Sequence, residues 1–172
     1  MNIIDKGSEL CFNENLFIVS KTDLKGKITY GNDLFIEISG YSEKELIGAP
    51  HNILRHDDMP RAVFKLLWDR IQSGGEVFAY VKNRAKSGQY YWVHAYVTPI
   101  VDSRKNEIIG YHSVRRSPSP KGIAVIEPLY KKMLEAEKSG GNGFSIGNGF
   151  NMCYGNTGAG CGKTEQEIGF YL

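Results

Sequence analysis

The chain has 172 residues, of which 41% are hydrophobic and 23% are charged, and its formal net charge is +2. This length suits one sizeable domain with short extensions, and the composition is typical of a globular protein. The weak net charge, without a basic stripe interleaved with aromatic residues, argues against nucleic-acid binding.

The cysteines are Cys11, Cys153 and Cys161. Their odd number and their spacing fit neither a zinc site nor a disulfide framework, which predicts a cytoplasmic protein. The first 14 residues lack an apolar signal core. No run approaches the roughly 18 apolar residues that span a bilayer, so we expect no direct membrane insertion. Any association with the inner membrane is expected to be peripheral, through a partner.

The first half of the chain predicts two strands followed by short helices. Two β-rich runs flank a turn at Gly26, which is typical of a hairpin. Asn32 suits the cap of a short helix, and Ser42 with Glu45 has the form of a capping box. Beyond Pro60, apolar residues recur at helical spacing and predict a longer helix.

From Val77 the pattern changes to the two-residue period of strands, and three β-rich runs predict an antiparallel meander. Val77, Ala79, Val81 and Asn83 share one face of the first of these strands, and Phe78 faces the other way. We interpret residues 115–116, both arginines, as a solvated strand end. The order of elements predicts an α+β fold: a five-stranded antiparallel sheet with short helices and one longer helix on one face.

The C-terminal third predicts a helix and a tail. Residues 118–138 form a helical pattern, and Pro128 should kink this helix or begin it. Residues 139–172 are rich in glycine and predict a flexible tail. Residues 157–164 resemble a phosphate-binding loop, but Thr157 stands where the motif needs glycine and no apolar strand precedes it. Nucleotide hydrolysis is therefore not expected.

The most informative segment is the turn at residues 50–60, with the sequence Pro-His-Asn-Ile-Leu-Arg-His-Asp-Asp-Met-Pro. Such a turn can present a cation, an imidazole and a carboxylate to one ligand. The alternative is a salt-bridged turn that caps the helix after Pro60. Asn83 also favours a ligand role, because asparagine is disfavoured in the middle of a strand.

Several sequence motifs closely resemble the FAD-binding PAS domain of Aer-type aerotaxis receptors and CetB-like energy-taxis sensors. They are the turn at 50–60, Tyr30 to Phe35, Ser39 to Tyr41, Val81 to Arg84 and Tyr91 to Val93. The likeness runs from about Leu16 to Glu137 and implies a PAS fold with FAD bound non-covalently. The family's flavin-associated positions fall on Asn32, His51, Arg55, His56, Asp58, Phe64 and Asn83. One position departs, because Val77 stands where Aer-like sequences commonly have tryptophan.

The resemblance implies a domain organisation and a function. An N-terminal cap segment (1–14) would precede the PAS sensor domain (15–117), the helical segment (118–138) and the tail (139–172). The protein would sense redox state or oxygen and signal by contact with a methyl-accepting chemotaxis-type transducer, without enzymatic activity. The resemblance also allows a homodimer that forms through the PAS domain.

Two alternatives stay open. One is a haem-binding gas sensor with His51 or His56 as the axial ligand. The other is a cofactor-free module for dimerisation or scaffolding, which stays open because Val77 replaces the tryptophan. A light-driven cysteinyl-flavin sensor is disfavoured, since no cysteine lies between Cys11 and Cys153.

Overall fold

The computed structural model describes residues 7–139 and the backbone of two short strands beyond them. One antiparallel sheet consists of the strands β1 (Ile18–Thr22), β2 (Ile28–Gly31), β3 (Val77–Arg84), β4 (Tyr90–Asp102) and β5 (Glu107–Arg116). Their order in the sheet is β2-β1-β5-β4-β3. The predicted α+β fold with a five-stranded antiparallel sheet is confirmed.

The helices between β2 and β3 cover the inner face of this sheet. They are α1 (Asp33–Ser39), α2 (Glu43–Leu46), a 3₁₀ turn (His51–Leu54) and α3 (Arg61–Gln72). The local signals act as predicted. The Asn32 side chain caps α1, Gly40 ends α1 with a positive φ of 69°, and Ser42 and Glu45 form the capping box of α2.

Helix α4 (Pro120–Lys138) packs on the outer face of the sheet. The Tyr130 hydroxyl donates a hydrogen bond to the Tyr80 carbonyl oxygen at 2.7 Å, and the Tyr130 ring stacks with Trp92. The helix begins eight residues before Pro128, so Pro128 does not start it. The predicted C-terminal helix is confirmed, and it is continuous from Pro120.

The two ends of the chain are only partly described. Leu10 donates its backbone N–H to the Tyr90 carbonyl oxygen at 2.7 Å, so the N-terminal segment docks beside the start of β4. In the predicted tail, β6 (Gly143–Ile146) and β7 (Phe150–Cys153) form an antiparallel pair that the glycine-rich composition does not predict. The phosphate-loop-like motif at 157–164 lies outside the described residues. Among the described helices, none has the length and apolarity to cross a membrane.

Candidate ligand-binding cavity

A cavity of about 440 Å³ lies between the inner face of the sheet, α3 and the turn at 50–60. Its apolar wall comes from α3 and from strands β3, β4 and β5. Its polar lining comes from the turn, β1, β3 and β5. The apolar and aromatic lining residues are Phe64, Leu67, Trp68, Ile71, Val81, Val93, Ala95, Val97 and Tyr111. The polar ones include Ser20, His51, Asn52, Arg55, Asn83, His112, Ser113 and Arg115.

The turn is held against the sheet by its own apolar residues and by a backbone bridge. Leu54 and Met59 are fully buried, and Arg55 forms an isolated antiparallel bridge with Asn83 of β3. The Arg55 Nη2 atom donates to the Met59 carbonyl oxygen at 2.9 Å, and the guanidinium lies 4.5 Å from the centroid of the Phe64 ring. Arg55 is thus oriented by the turn and by α3 while it lines the cavity.

Four of the seven sequence-predicted site residues line the cavity: His51, Arg55, Phe64 and Asn83. Asn83 is 4% exposed and lies opposite Tyr91 in the sheet register. The structure therefore brings an amide, a guanidinium, an imidazole and an aromatic ring to one cavity.

Asn32 lies outside the cavity wall, and its amide is occupied by the protein. Its Oδ1 atom accepts from the backbone N–H groups of Phe35 and Val19 at 3.2 and 3.0 Å. Its Nδ2 atom donates to the Phe17 carbonyl oxygen at 2.8 Å. These contacts tie the start of α1 to β1.

His56 and Asp58 also lie outside the cavity wall. The Nδ1 atom of His56 accepts from the Asp58 backbone N–H at 3.1 Å, and the His56 ring packs edge-on against Tyr90. The Asp58 carboxylate lies 2.7 Å from Lys82 Nζ, and this hydrogen bond lowers the pKa of Asp58. The two side chains bind the turn to the outer part of the sheet.

Asp58 does not cap α3, contrary to the salt-bridged-cap interpretation of the turn. Glu137 of α4 supplies the cap instead. Its two carboxylate oxygens accept from the backbone N–H groups of Arg61 and Ala62 at 3.2 and 3.0 Å. The cap comes from a residue more than 70 positions away, which no local motif indicates.

Arg115 is the main lining residue that the sequence did not predict. Its exposure is 2%, so the interpretation of this residue as part of a solvated strand end is wrong. Its Nε atom donates to Ser113 Oγ at 2.9 Å, and its Nη2 atom donates to Ser20 Oγ and, at 3.0 Å, to His51 Nε2. Its guanidinium also lies 5.1 Å from the Phe35 ring centroid.

Within the part of the chain that the structure describes, the contacts of Arg115 include no negative charge to balance its own, and one of its donor atoms has no hydrogen-bond partner. Its hydrogen-bond partners are neutral, and its Nη1 atom is buried without a partner among the described residues. Burial lowers the pKa of Arg115 to about 10, so it is charged at neutral pH. Burial, followed by the charge of Arg115, lowers the pKa of His51 to about 3. His51 is therefore neutral and accepts the Arg115 donor through Nε2.

Aromatic surface in the cavity comes from Trp68 of α3 and Tyr111 of β5. Their rings meet edge-to-face, with centroids 5.3 Å apart. Val77 is half-buried and is not a lining residue. Phe78 points to the opposite face of the sheet from Val77, as predicted; on this outer face it is 40% exposed and stacks with Tyr96. The spacing of Phe64 and Trp68, four residues apart on a helix, is the signal that identifies this wall.

The described residues hold no cluster of His, Cys, Asp or Glu that could bind a metal ion. The chemistry of the cavity is that of cations, an amide and aromatic rings around an apolar slot.

Several known proteins are similar to this chain in sequence or in fold. The model of the PAS fold matches residues 28–115. The chain is 45% identical over 116 residues to the aerotaxis receptor of Escherichia coli, covering 67% of this chain and 22% of the receptor. It is 26% identical over 83 residues to the biofilm dispersion protein BdlA of Pseudomonas aeruginosa, covering 48% of this chain and 20% of that protein. The chain therefore spans about a fifth of the length of these relatives.

Solved structures of light-oxygen-voltage domains share the fold. The light-state structure of the blue-light photoreceptor Aureochrome1 LOV aligns with a TM-score of 0.53 at 25% identity, covering 72% of this chain and 90% of that one. A light-oxygen-voltage domain described with a flavin analogue aligns with a TM-score of 0.54 at 18% identity, covering 72% and 87%. By name, these similar proteins are a taxis receptor, a biofilm dispersion protein and light-oxygen-voltage domains, one of them from a blue-light photoreceptor.

Proposed function

Because this chain belongs to the PAS family, we propose that it senses redox state or oxygen with FAD held non-covalently in the cavity, and that it signals by contact with a chemotaxis-type transducer. The chain is a PAS module related to a taxis receptor and to flavin-associated photoreceptor domains. The identity of the cofactor, the partner and a cytoplasmic location are our proposals.

One observation carries the proposal: a single cavity combines an apolar, aromatic slot with cationic and amide groups. Its volume of about 440 Å³ falls in the ~300–1,000 Å³ range of small-molecule sites. A flavin requires such a slot for its ring and hydrogen-bonding groups for its polar edge. Asn83, Arg55 and Arg115, which line the cavity, supply an amide and two cations. When bound, FAD supplies reversible electron transfer.

The side chains of the cavity give a physical route from a ligand to the protein surface. Arg55 contacts the Met59 carbonyl oxygen, the Met59 sulfur accepts from the Lys82 backbone N–H, and Lys82 binds Asp58. A ligand change that re-pairs Arg55 acts on this chain of contacts only through different interactions with its two forms. A difference of roughly 1–3 kcal/mol is enough to alter docking to a partner.

The geometry favours a flavin over haem. The Nε2 atom of His51 is already paired with Arg115, and His56 lies outside the cavity wall with its Nδ1 atom bound to the Asp58 backbone. His51 Nε2 could bind an iron atom in the cavity only by losing its contact with Arg115, and His56 does not line the cavity. An intense Soret band in the purified protein would contradict this conclusion.

The absorption spectrum of the purified protein tests the proposal. A two-band flavin spectrum that dithionite bleaches is expected, and chromatography of the released cofactor distinguishes FAD from FMN. A colourless protein that takes up no flavin after incubation with FAD supports the cofactor-free alternative.

We predict that Arg55→Ala weakens flavin binding at least tenfold, because the cavity loses an oriented cation and the contact with Phe64. The affinity is measured by the quenching of flavin fluorescence. Arg61→Ala is the matched control, since Arg61 is an exposed cation nearby. Unchanged affinity in Arg55→Ala, with only a lower melting temperature, would mean that Arg55 merely holds the turn together.

The partner and the oligomeric state have separate tests. Binding to a methyl-accepting transducer is expected to differ between the oxidised and the dithionite-reduced protein. Light scattering after gel filtration measures whether the chain dimerises. Equal binding in both redox states contradicts signalling by contact.

A further inference from the structure

The cavity contains a buried cation that the protein itself leaves uncompensated. Arg115 is 2% exposed, and no carboxylate of the described residues forms an ion pair with it. A buried charge is strongly unfavourable unless an opposite charge or a full set of hydrogen bonds accompanies it. Arg115 lies in the cavity wall, so its charge is close to any ligand that the cavity binds.

The neighbours of Arg115 hold it in place without neutralising it. Ser20, Ser113 and His51 occupy Nε and Nη2, which fixes the plane of the guanidinium and leaves Nη1 as the remaining donor. These partners lie on β1, β5 and the 3₁₀ turn, so three separate elements hold one side chain. Such an arrangement is typical of a preorganised recognition group.

We propose that Arg115 makes the cavity select its ligand by a negatively charged or strongly accepting edge, and that it favours the electron-rich form of that ligand. This inference rests on the proposed function where it names a flavin. Reduction of a flavin by two electrons and one proton adds one negative charge. A fixed positive charge beside the ring binds that form more tightly than the oxidised form.

The two arginines of the cavity therefore have different roles. Arg55 already contacts the Phe64 ring and the Met59 carbonyl oxygen, and its burial is partial. Arg115 is fully buried among neutral groups, where its charge is little screened. Arg55 contributes to binding of both redox forms, and Arg115 distinguishes between them.

The experiment compares Arg115→Met, which removes the charge, with Arg115→Lys, which keeps it. The matched control is Arg116→Met, since Arg116 is the exposed neighbour on the same strand. The affinity for oxidised FAD and the midpoint potential of the bound flavin are measured for each protein, with dithionite as reductant. Together they give the ratio of affinities for the reduced and oxidised forms.

In Arg115→Met this ratio is expected to fall at least tenfold, which corresponds to a midpoint potential lower by about 30 mV for a two-electron couple. Arg115→Lys should retain most of the wild-type ratio, and Arg116→Met should retain all of it. Equal shifts in Arg115→Met and Arg116→Met, or no shift in either, would overturn the inference.

A second measurement needs no flavin. If only a ligand compensates the charge of Arg115, the melting temperature of ligand-free Arg115→Met should equal or exceed that of ligand-free wild type. The substitution removes an uncompensated buried charge. A clear loss of stability, or a failure to fold, would assign Arg115 a purely structural role. Wild-type protein that takes up no FAD would contradict the proposed function, and this comparison would then still decide the role of Arg115.

Discussion

The sheet carries a buried cation on each face, and the two cations have different kinds of partner. On the outer face, Lys82 lies 2.7 Å from Asp58 and 3.8 Å from Glu127, and its ammonium sits over the rings of Tyr90 and Trp92. On the inner face, Arg115 meets two serine hydroxyls, an imidazole and the Phe35 ring. The outer cation has carboxylate partners, and the inner one has none among the described residues.

The difference in partners indicates that the two cations have different roles. Lys82 links the turn, β3 and α4, so its ion pairs stabilise the fold. Arg115 lines a cavity that a small molecule can enter. The fold thus tolerates an unmatched charge on the face where we propose that a ligand binds.

The largest effect on the free energy of unfolding is expected when the pH is lowered and His51 becomes protonated. The pKa of His51 is about 3 in the folded protein against 6.5 for the unpaired side chain. Since the unfolded chain binds this proton first, stability is lost as the pH falls below about 6.5. The loss reaches about 2 kcal/mol at pH 5. Urea denaturation at pH 7 and pH 5 measures it.

His51→Gln provides the control for this prediction. The variant lacks the titrating imidazole, so its stability should depend less steeply on pH over the same range. Parallel pH dependence in the variant and the wild type would show that the folded protein does not hold His51 neutral.

The next effect concerns Lys82, where we expect the opposite outcome to Arg115→Met. Lys82→Met should destabilise the protein by about 1.5 kcal/mol, because Asp58 loses its partner and two cation–aromatic contacts vanish. The figure is modest since both carboxylates are more than half exposed. If ligand-free Lys82→Met and Arg115→Met proved equally stable in urea, the contrast between the two cations would collapse.

The smallest effect is expected at the cap of α3. Glu137→Ala should cost about 1 kcal/mol in the free energy of unfolding, since the backbone N–H groups of Arg61 and Ala62 lose their acceptor. Glu135→Ala is the matched control, because Glu135 is an exposed carboxylate on the same helix. Equal losses in the two variants would mean that the cap contributes nothing specific.

The sequence predicts most of the fold because its signals are local. The capping box at Ser42, the cap at Asn32 and the alternation in β3 each act within a few residues, and the structure contains all three. The resemblance adds the topology of the sheet. His51, Arg55, Phe64 and Asn83, four of the positions to which the resemblance assigns a ligand role, line the same cavity.

The sequence could not identify the groups that depend on distant partners. From the sequence alone, Arg115 resembles the polar end of a strand. The serine and the histidine that accept its hydrogen bonds lie far away in the chain, in β1 and in the 3₁₀ turn. Glu137 reads as a solvated residue near the end of a helix, although it caps α3. Both roles arise only when elements far apart in the chain are packed together.

The carboxylate of Glu137 has a mechanical consequence. It fastens the last turn of α4 to the first turn of α3, and α3 carries Phe64 and Trp68 in the cavity wall. A displacement of the end of α4 relative to α3 would therefore act directly on these two hydrogen bonds, and through α3 on the wall of the cavity.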